Sequence, residues 1–472
     1  MVEGGVVYQI YPRSFQDSDG DGIGDLDGVR RRLDFLAWLG VDALWLSPIY
    51  PSPLADFGYD VSGYTAIDPV FGTFQEFDAL VAEARERGLG VLMDMVPCHT
   101  SIEHPWFREH PDWYIWADAP NNWLSAFGGS AWSERDGRYY LHSFYPEQPD
   151  LDWRNPEVVA AMQDALGFWL ERGVAGYRLD AIDRLMKDRE LRDEPPATEP
   201  FGLPLTDEEA QLAHIYAGNA PDTGETLAKI RAACGDAFLV GEIYLPSAKW
   251  HPYLEHLDAA FAFELLFAPW DARQVRRAIE VTTGGPGAAW VLSNHDFGRL
   301  ATRFGPENAR AAAMLLLTLP GTAFLYQGDE IAQRDGPQGE SSHDRAGRDR
   351  FRHPMQWGPD PKGGFTSGEP WLPVVDPDRH NVEDQRDDRG SMLSLVRSLI
   401  EVRRELEAGL RLLDTGPGLL AYERGEHLVA LNMTARPQPA PATGDVVIES
   451  EPGALRGGDL APHAGVLATR LG

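Results

Sequence analysis

At 472 residues the chain is long enough for a barrel-sized domain with one or two smaller ones, and 43% hydrophobic with 10% aromatic content speaks against large-scale disorder. Its 73 acidic residues against 42 basic ones leave a formal charge of −31, a field that repels nucleic acid and anionic membrane surfaces. No run approaches the roughly 18 apolar residues of a transmembrane helix. The opening from Met1 to Gly5 has neither the basic nor the apolar region of a signal peptide, and Cys98 and Cys234 make no disulfide framework. These features lead us to expect a reduced, cytoplasmic protein with no membrane or nucleic-acid partner, as a monomer or homodimer.

In chain order, Val6 to Tyr11 reads as a strand, and Leu26 to Leu39 as one amphipathic helix with Gly40 just past its end. A strand over Val41 to Leu46, a helix over Phe74 to Arg87 and a strand over Gly90 to Val96 follow. The alternation then stops. Residues 101–155, rich in Trp, Pro, His and Gly, read as an inserted, loop-rich subdomain. It resumes with a helix over Pro156 to Arg172, where Pro stands at the first turn. Strands are expected at Gly176 to Asp180, Phe238 to Ile243, Ala259 to Phe263, Trp290 to Leu292 and Thr322 to Tyr326. Between them lie helical patterns at Thr226 to Ala233, Asp271 to Val281 and Asn308 to Leu319. Eight strands interleaved with helices favour a (β/α)₈ barrel, an α/β fold of the TIM type, over an open doubly wound sheet. No glycine-rich dinucleotide fingerprint follows the first strand, so no organic cofactor is expected.

Two long polar segments, 187–224 and 327–390, follow barrel strands and belong on the active-site face. A last helix over Leu393 to Leu406 precedes a β-patterned tail that includes His427 to Leu431, and Pro437 to Pro441 reads as a surface loop. The expected organisation is a barrel from 1–100 and 156–410, the inserted subdomain at 101–155, and a small β-sandwich-like domain at 411–472.

Acidic residues gather at strand ends. Asp94 is followed by His99; Arg178 and Asp180 end the fourth strand, Glu242 ends the fifth, and His295-Asp296 follow the seventh. In a (β/α)₈ barrel these ends open into one pocket. A single strand-end acid fits a helix cap equally well. A convergent set fits hydrolysis of a sugar acetal, in which one carboxylate attacks the anomeric carbon and another protonates the leaving oxygen and then activates water. The first must stay ionised, which Arg178 would favour, and the second must hold a proton near neutrality.

With Val7-Tyr8-Gln9-Ile10-Tyr11-Pro12, Gly176-Tyr177-Arg178-Leu179-Asp180, Gly241-Glu242-Ile243-Tyr244 and Asn294-His295-Asp296 in this order, the sequence resembles glycoside hydrolase family 13, and within it the α-glucosidase/oligo-1,6-glucosidase branch. The resemblance runs to about residue 410 and implies a retaining mechanism, with Asp180 as nucleophile, Glu242 as acid/base and Asp296 as transition-state stabiliser. It implies that His99, Arg178 and His295 bind the innermost glucosyl unit. In Asp56-Phe57-Gly58-Tyr59-Asp60, Asp56 would bind the outer hydroxyls of the non-reducing glucose and Tyr59 would be its stacking platform. The arginine that pairs with such an aspartate is assigned to Arg348, ahead of Pro354-Met355-Gln356-Trp357, in preference to Arg352, and Phe144 adds an aromatic wall. A pocket closed in this way implies exo action.

Asp17-Ser18-Asp19-Gly20-Asp21-Gly22-Ile23-Gly24-Asp25 alternates carboxylates in a manner suited to a hard cation. An EF-hand fits poorly, because Gly28 stands at its twelfth position. The resemblance implies a structural Ca²⁺ or Mg²⁺ held by Asp17, Asp19, Asp21, the Ile23 carbonyl and Asp25. It also reads Gln148-Pro149-Asp150-Leu151-Asp152 as the mark of the oligo-1,6-glucosidase branch, and the small Ala181 after the nucleophile as a sign of α-1,4 preference. Cys98 stands where the family usually has Asn, which argues against an amylase-type calcium there, and Phe297-Gly298 after Asp296 are also unusual. The expected function is exo-acting α-glucosidase, the alternative being glucosyl transfer or sugar isomerisation on the same residues.

Overall fold

The computed structural model describes residues 2–198, 206–283, 287–339 and 343–471. Parts of the two long polar segments, 199–205 and 340–342, lie outside the described residues, as do 284–286 and the two terminal residues. Eight parallel strands form a closed barrel: β1 (Val6–Ile10), β2 (Ala43–Leu46), β3 (Gly90–Met95), β4 (Gly176–Leu179), β5 (Phe238–Gly241), β6 (Ala259–Phe261), β7 (Ala288–Val291) and β8 (Thr322–Tyr326). Each pairs with the next in sequence, and β8 returns to β1 with Val6 opposite Ala323 and Gln9 opposite Tyr326.

Both faces of these strands are buried, which is why they read as apolar runs rather than as alternating patterns. Tyr8, Leu44, Met93, Tyr177, Leu239, Trp290 and Leu325 belong to the layer packed against the helices. Val7, Trp45, Leu92, Val240, Phe261, Val291 and Phe324 form a second cluster inside the barrel. Side chains alternate with a period of two. Inward-facing Leu92, Val240 and Val7 therefore put Asp94, Glu242 and Gln9 on the same inner side, at the strands' C-terminal ends. Arg178 and Asp180 share that parity on β4. Gly176 lets β4 close on β5, since a Cβ there would collide with the Phe238 carbonyl oxygen.

The surrounding helices start where capping residues stand. Thr73 and Glu76 form a capping box for Phe74–Glu86, Asn155 caps Pro156–Glu171 with Pro at its start, and Ser391 caps Met392–Arg403. The single helix expected over Leu26 to Leu39 is two, Leu26–Arg31 and Leu33–Leu39. The break falls at Arg32, whose guanidinium lies 4.0 Å above the Trp357 ring and donates to Gln16. Phe263, expected at the end of a strand, instead opens a short helix, Phe263–Phe267.

Within 101–155 a three-stranded antiparallel sheet runs in the order Trp116–Ala117, Arg138–Leu141, Trp132–Arg135. The C-terminal region holds a five-stranded antiparallel sheet and a three-stranded one around Leu419, Leu428, Ala430, Leu460 and Val466. Gln438–Pro439, in the stretch expected to be a loop, pairs with Asp459–Leu460, an edge position at which proline's missing N–H is tolerated. Among the described residues no helix is long and apolar enough to cross a membrane.

Candidate active site

The inner-face residues converge on one guanidinium. Arg178 Nη1 lies 2.8 Å from Asp94 Oδ1 and 2.6 Å from Asp180 Oδ1, and its Nη2 lies 2.7 Å from Glu242 Oε1. Asp94 is further held by Trp45 Nε1 at 3.1 Å and by the Tyr59 hydroxyl at 2.9 Å. Three buried carboxylates around one cation leave excess negative charge, and their protonation has to absorb it. Burial, opposed by Arg178, pushes Asp94 up to about 6. Burial also raises Asp180 well above the ordinary range; Arg178 opposes it, and the charges of Glu242 and Asp94 and a hydrogen bond with Glu242 add to the rise. The sequence leads one to expect an ionised Asp180. Arg178 Nη1, at 2.6 Å, is the contact that supports that form, and burial and the neighbouring carboxylates act against it.

Above this cluster lies a cavity of about 550 Å³ lined by Asp56, Tyr59, His99, Phe144, Asp180, Glu242, Asp296 and Arg348, with Phe127, Tyr145, Tyr244, Phe297 and Arg345 also on its wall. One end is shut by charge. Arg348 bonds Asp56 through Nη2 and Asp296 through Nη1 at 2.9 Å, and Arg352 Nη2 reaches the same Asp296 oxygen at 2.9 Å. Despite burial, the guanidinium groups of Arg348 and Arg352 hold Asp296 well below the usual carboxylate range, so it stays an anion.

His295 lies between the rings of Tyr59, at 5.3 Å, and Tyr11, at 5.9 Å. Burial lowers its pKa to about 3, so the ring is neutral. Gln9 Nε2 meets Nδ1 at 2.8 Å, which leaves the ring proton on Nε2, 3.3 Å from Asp296 Oδ2. Burial likewise keeps His99 neutral; its Nε2 meets Gln148 Nε2 at 2.9 Å, and its ring lies 5.2 Å from Phe144. Every residue expected at the pocket is thus in or directly beside it.

Two contributors were passed over in the sequence. Arg352, set aside in favour of Arg348, is fully buried behind Asp296, and its Nε also donates to the His295 carbonyl at 2.9 Å. Gln148 serves as more than a branch marker: its amide donates to Asp56 Oδ2 at 3.1 Å as well as meeting His99. The signal for Arg352 was its spacing of four from Arg348. For Gln148 it was its place in the motif already noted.

Cys98, His99 and Asp150 lie close enough together to suggest a metal site. The Lys187 ammonium fills that place, 2.5 Å from Asp150 Oδ2 and 3.6 Å from Cys98 Sγ, so the cation is supplied by the chain itself. The aspartate loop lies elsewhere. Ligand oxygens of Asp17, Asp19 and Asp21 come within 4.8 Å of one another. Amides of Asp19 and Gly20 donate to Asp17 Oδ1, that of Asp21 to Asp19 Oδ1, and that of Ile23 to Asp21 Oδ1 at 2.7 Å. Such an all-oxygen set suits a hard cation. Asp25 stands outside this cluster as the cap of helix Leu26–Arg31, accepting from Gly28 N and Ser18 N, each at 2.7 Å.

A barrel whose strand ends bring together a carboxylate pair, a charged pocket end and neutral histidines defines a glycoside hydrolase. The α-amylase catalytic-domain model matches residues 9–410, and the chain belongs to that family, glycoside hydrolase family 13, in its α-glucosidase/oligo-1,6-glucosidase branch. It is 42% identical over 425 residues to a probable α-glucosidase of Rhizobium meliloti (strain 1021), covering 79% of this chain and 76% of that one. It is 36% identical over 504 residues to a glucan 1,6-α-glucosidase of Streptococcus dysgalactiae subsp. equisimilis, covering 92% and 91%. Among solved structures, an α-glucosyl transfer enzyme superposes with a TM-score of 0.92 at 38% identity over 99% of both chains. The trehalulose synthase of Pseudomonas mesoacidophila MX-45 gives 0.89 at 31% identity over 98% of both.

Proposed function

We propose that the protein is an exo-acting, retaining α-glucosidase that removes single glucose units from the non-reducing end of short α-glucosides, α-1,4 links preferred. The observation that carries this reading is a pocket with Asp180 and Glu242 held by one guanidinium, Arg178, at its base and one end sealed by the Arg348–Asp56 ion pair. Sealing leaves room for one terminal unit. Two carboxylates that share one guanidinium accord with the close pair, roughly 5–5.5 Å apart, of retaining enzymes.

In this mechanism the glucose enters with its outer hydroxyls on Asp56 and Arg348 and inner ones on His99 and His295. In the productive complex the proton is on Glu242 and not on Asp180. Asp180, now an anion beside Arg178, attacks the anomeric carbon as Glu242 protonates the departing oxygen. Glu242 then takes a proton from water, which releases glucose and frees Asp180. Asp296 stays charged throughout and stabilises the oxocarbenium-like transition state.

Ala181 supports the linkage preference. Its backbone has φ of 44°, its N–H lies 3.2 Å from Glu242 Oε2, and its methyl group packs with Ala126 and Phe144, so a larger side chain would press on both the acid and the pocket wall. Asp17, Asp19 and Asp21 are proposed to hold a structural Ca²⁺ or Mg²⁺, which would pin the loop after β1 and take no part in the chemistry. Both cysteines are free and buried, which supports a reducing, cytoplasmic setting. Glucosyl transfer on the same residues is the second reading, favoured by the likeness to the α-glucosyl transfer enzyme.

A chromatographic time course with maltose, isomaltose, trehalose and sucrose supplied separately tests these readings. Glucose appearing from maltose well ahead of isomaltose supports the proposal. New di- or trisaccharides in its place would move the function to transfer.

A further inference from the structure

A second cavity, of about 620 Å³, shares no lining residue with the catalytic pocket. Its size falls in the roughly 300–1,000 Å³ range of small-molecule sites. The inserted subdomain forms one wall, with Tyr114, Trp116 and Arg138, and the loop after β4 forms another, with Lys187, Asp188 and Arg189. Some of the charges here are committed: the Lys187 ammonium to Asp150, Arg154 to Asp222 through Nε and Nη2, and Asp188 to Arg192. Others are held loosely or not at all. Arg138 comes no nearer to a carboxylate than 3.8 Å, from Asp118, whose side chain is 99% exposed. Arg189 reaches Asp222 at 3.4 Å, a carboxylate that already serves Arg154. Among the described residues Asp112 and Asp152 form no ion pair, and Asp152 accepts from the Arg154 amide at 3.0 Å. Beside these groups the Trp116 ring, parallel to Phe107 at 5.8 Å, supplies an apolar wall, and its Nε1 already donates to the Pro111 carbonyl at 2.7 Å.

We propose that this cavity is a second, non-catalytic binding site for a neutral sugar. Free guanidinium and carboxylate groups stand on the same walls. An anion would be set against Asp112 and Asp152, and a cation against Arg138 and Arg189. A neutral ring bearing several hydroxyls meets neither penalty, because each hydroxyl can donate to a carboxylate or accept from a guanidinium. The C–H face of such a ring packs on Trp116 and buries apolar area. The net charge of −31 weighs further against an anion. None of these groups lines the catalytic pocket, so the site stands apart from the α-glucosidase reading.

The test is equilibrium dialysis with S-linked maltose, a neutral disaccharide whose sulfur link resists cleavage, on the wild type, on Arg189→Ala and on the double variant Asp112→Ala/Arg138→Ala. All three side chains are exposed, so the fold is spared. Their kcat/KM on maltose is expected to stay within about twofold of the wild type. We expect two sites on the wild type, with the affinity of one falling at least about tenfold in each variant, the worth of one charge-assisted hydrogen bond. Binding that neither variant weakens would overturn the proposal. So would glucuronate or glucosamine displacing the disaccharide from this site at lower concentration than glucose does. A failure of the α-glucosidase reading would appear instead as absent maltose turnover, with the loss of dialysis binding in the variants unaltered.

Discussion

Arg348 offers the clearest perturbation of the sealed pocket end. Its guanidinium joins Asp56 to Asp296, and Arg348→Ala removes both contacts at once, while Arg352 stays 2.9 Å from Asp296 and Gln148 stays 3.1 Å from Asp56. Stripping one partner from a buried ion pair costs on the order of 3–5 kcal/mol when nothing replaces it. Because Arg352 and Gln148 remain and water can enter, we expect about 2–4 kcal/mol, a loss in kcat/KM of roughly 30- to 1000-fold carried mainly by KM. Arg348→Lys should recover only part of this, since one ammonium cannot serve two carboxylates as the planar fork does. Steady-state kinetics on maltose, with thermal melting to confirm the fold, measures the effect. A loss below threefold in well-folded Arg348→Ala, or full recovery by lysine, would show that the ion pair does not shape the donor site.

The other expectations concern specificity, acid stability and the metal loop. Ala181→Val places a β-branched residue in a left-handed conformation next to Glu242 and should shift the isomaltose-to-maltose ratio of kcat/KM toward isomaltose at least about fivefold. An unchanged ratio removes Ala181 from the account of linkage preference. His104 caps helix Pro105–Glu109 by accepting from Trp106 N at 3.1 Å, and burial lowers its pKa to about 4. The unfolded chain therefore takes up this proton first, so the stability is fully present above the ordinary histidine value of about 6.5 and is lost as pH falls toward 4. His104→Asn, a cap that does not titrate, should flatten the fall in melting temperature across that range, and an unaltered slope refutes the attribution. Chelation should lower the melting temperature by about 2–5 °C through loss of the Asp17–Asp19–Asp21 ion, with specific activity of the folded enzyme preserved. Asp19→Asn/Asp21→Asn should abolish that response, and a wild type indifferent to chelator argues against a bound cation.

Much of the barrel was legible because strands buried on both faces must be short apolar runs, and the period of two carries Asp94, Arg178, Asp180 and Glu242 to one side automatically. What stayed hidden depended on contacts remote in sequence. The break at Arg32 follows from its place over Trp357, more than 300 residues on, which no helical periodicity contains. Arg352 and Arg348 read alike in the sequence; only the fold puts one behind Asp296 and the other across to Asp56. The raised carboxyl of Asp180 was missed for a different reason. Arg178 was credited with keeping it charged, but the same cation is shared with Asp94 and Glu242. Lys187 taking a cation's place beside Cys98 could not be seen without knowing that the loop after β4 folds back on the 98–99 turn.

The central claim is that Asp180 forms the covalent glucosyl-enzyme and Glu242 serves as its acid and base. Incubating Glu242→Gln with an activated fluoro-glucosyl donor, followed by proteolysis and peptide mass spectrometry, tests it most directly. The account predicts one glucosyl adduct, on Asp180, that disappears in Asp180→Asn. No adduct, or one carried by another carboxylate, would contradict it.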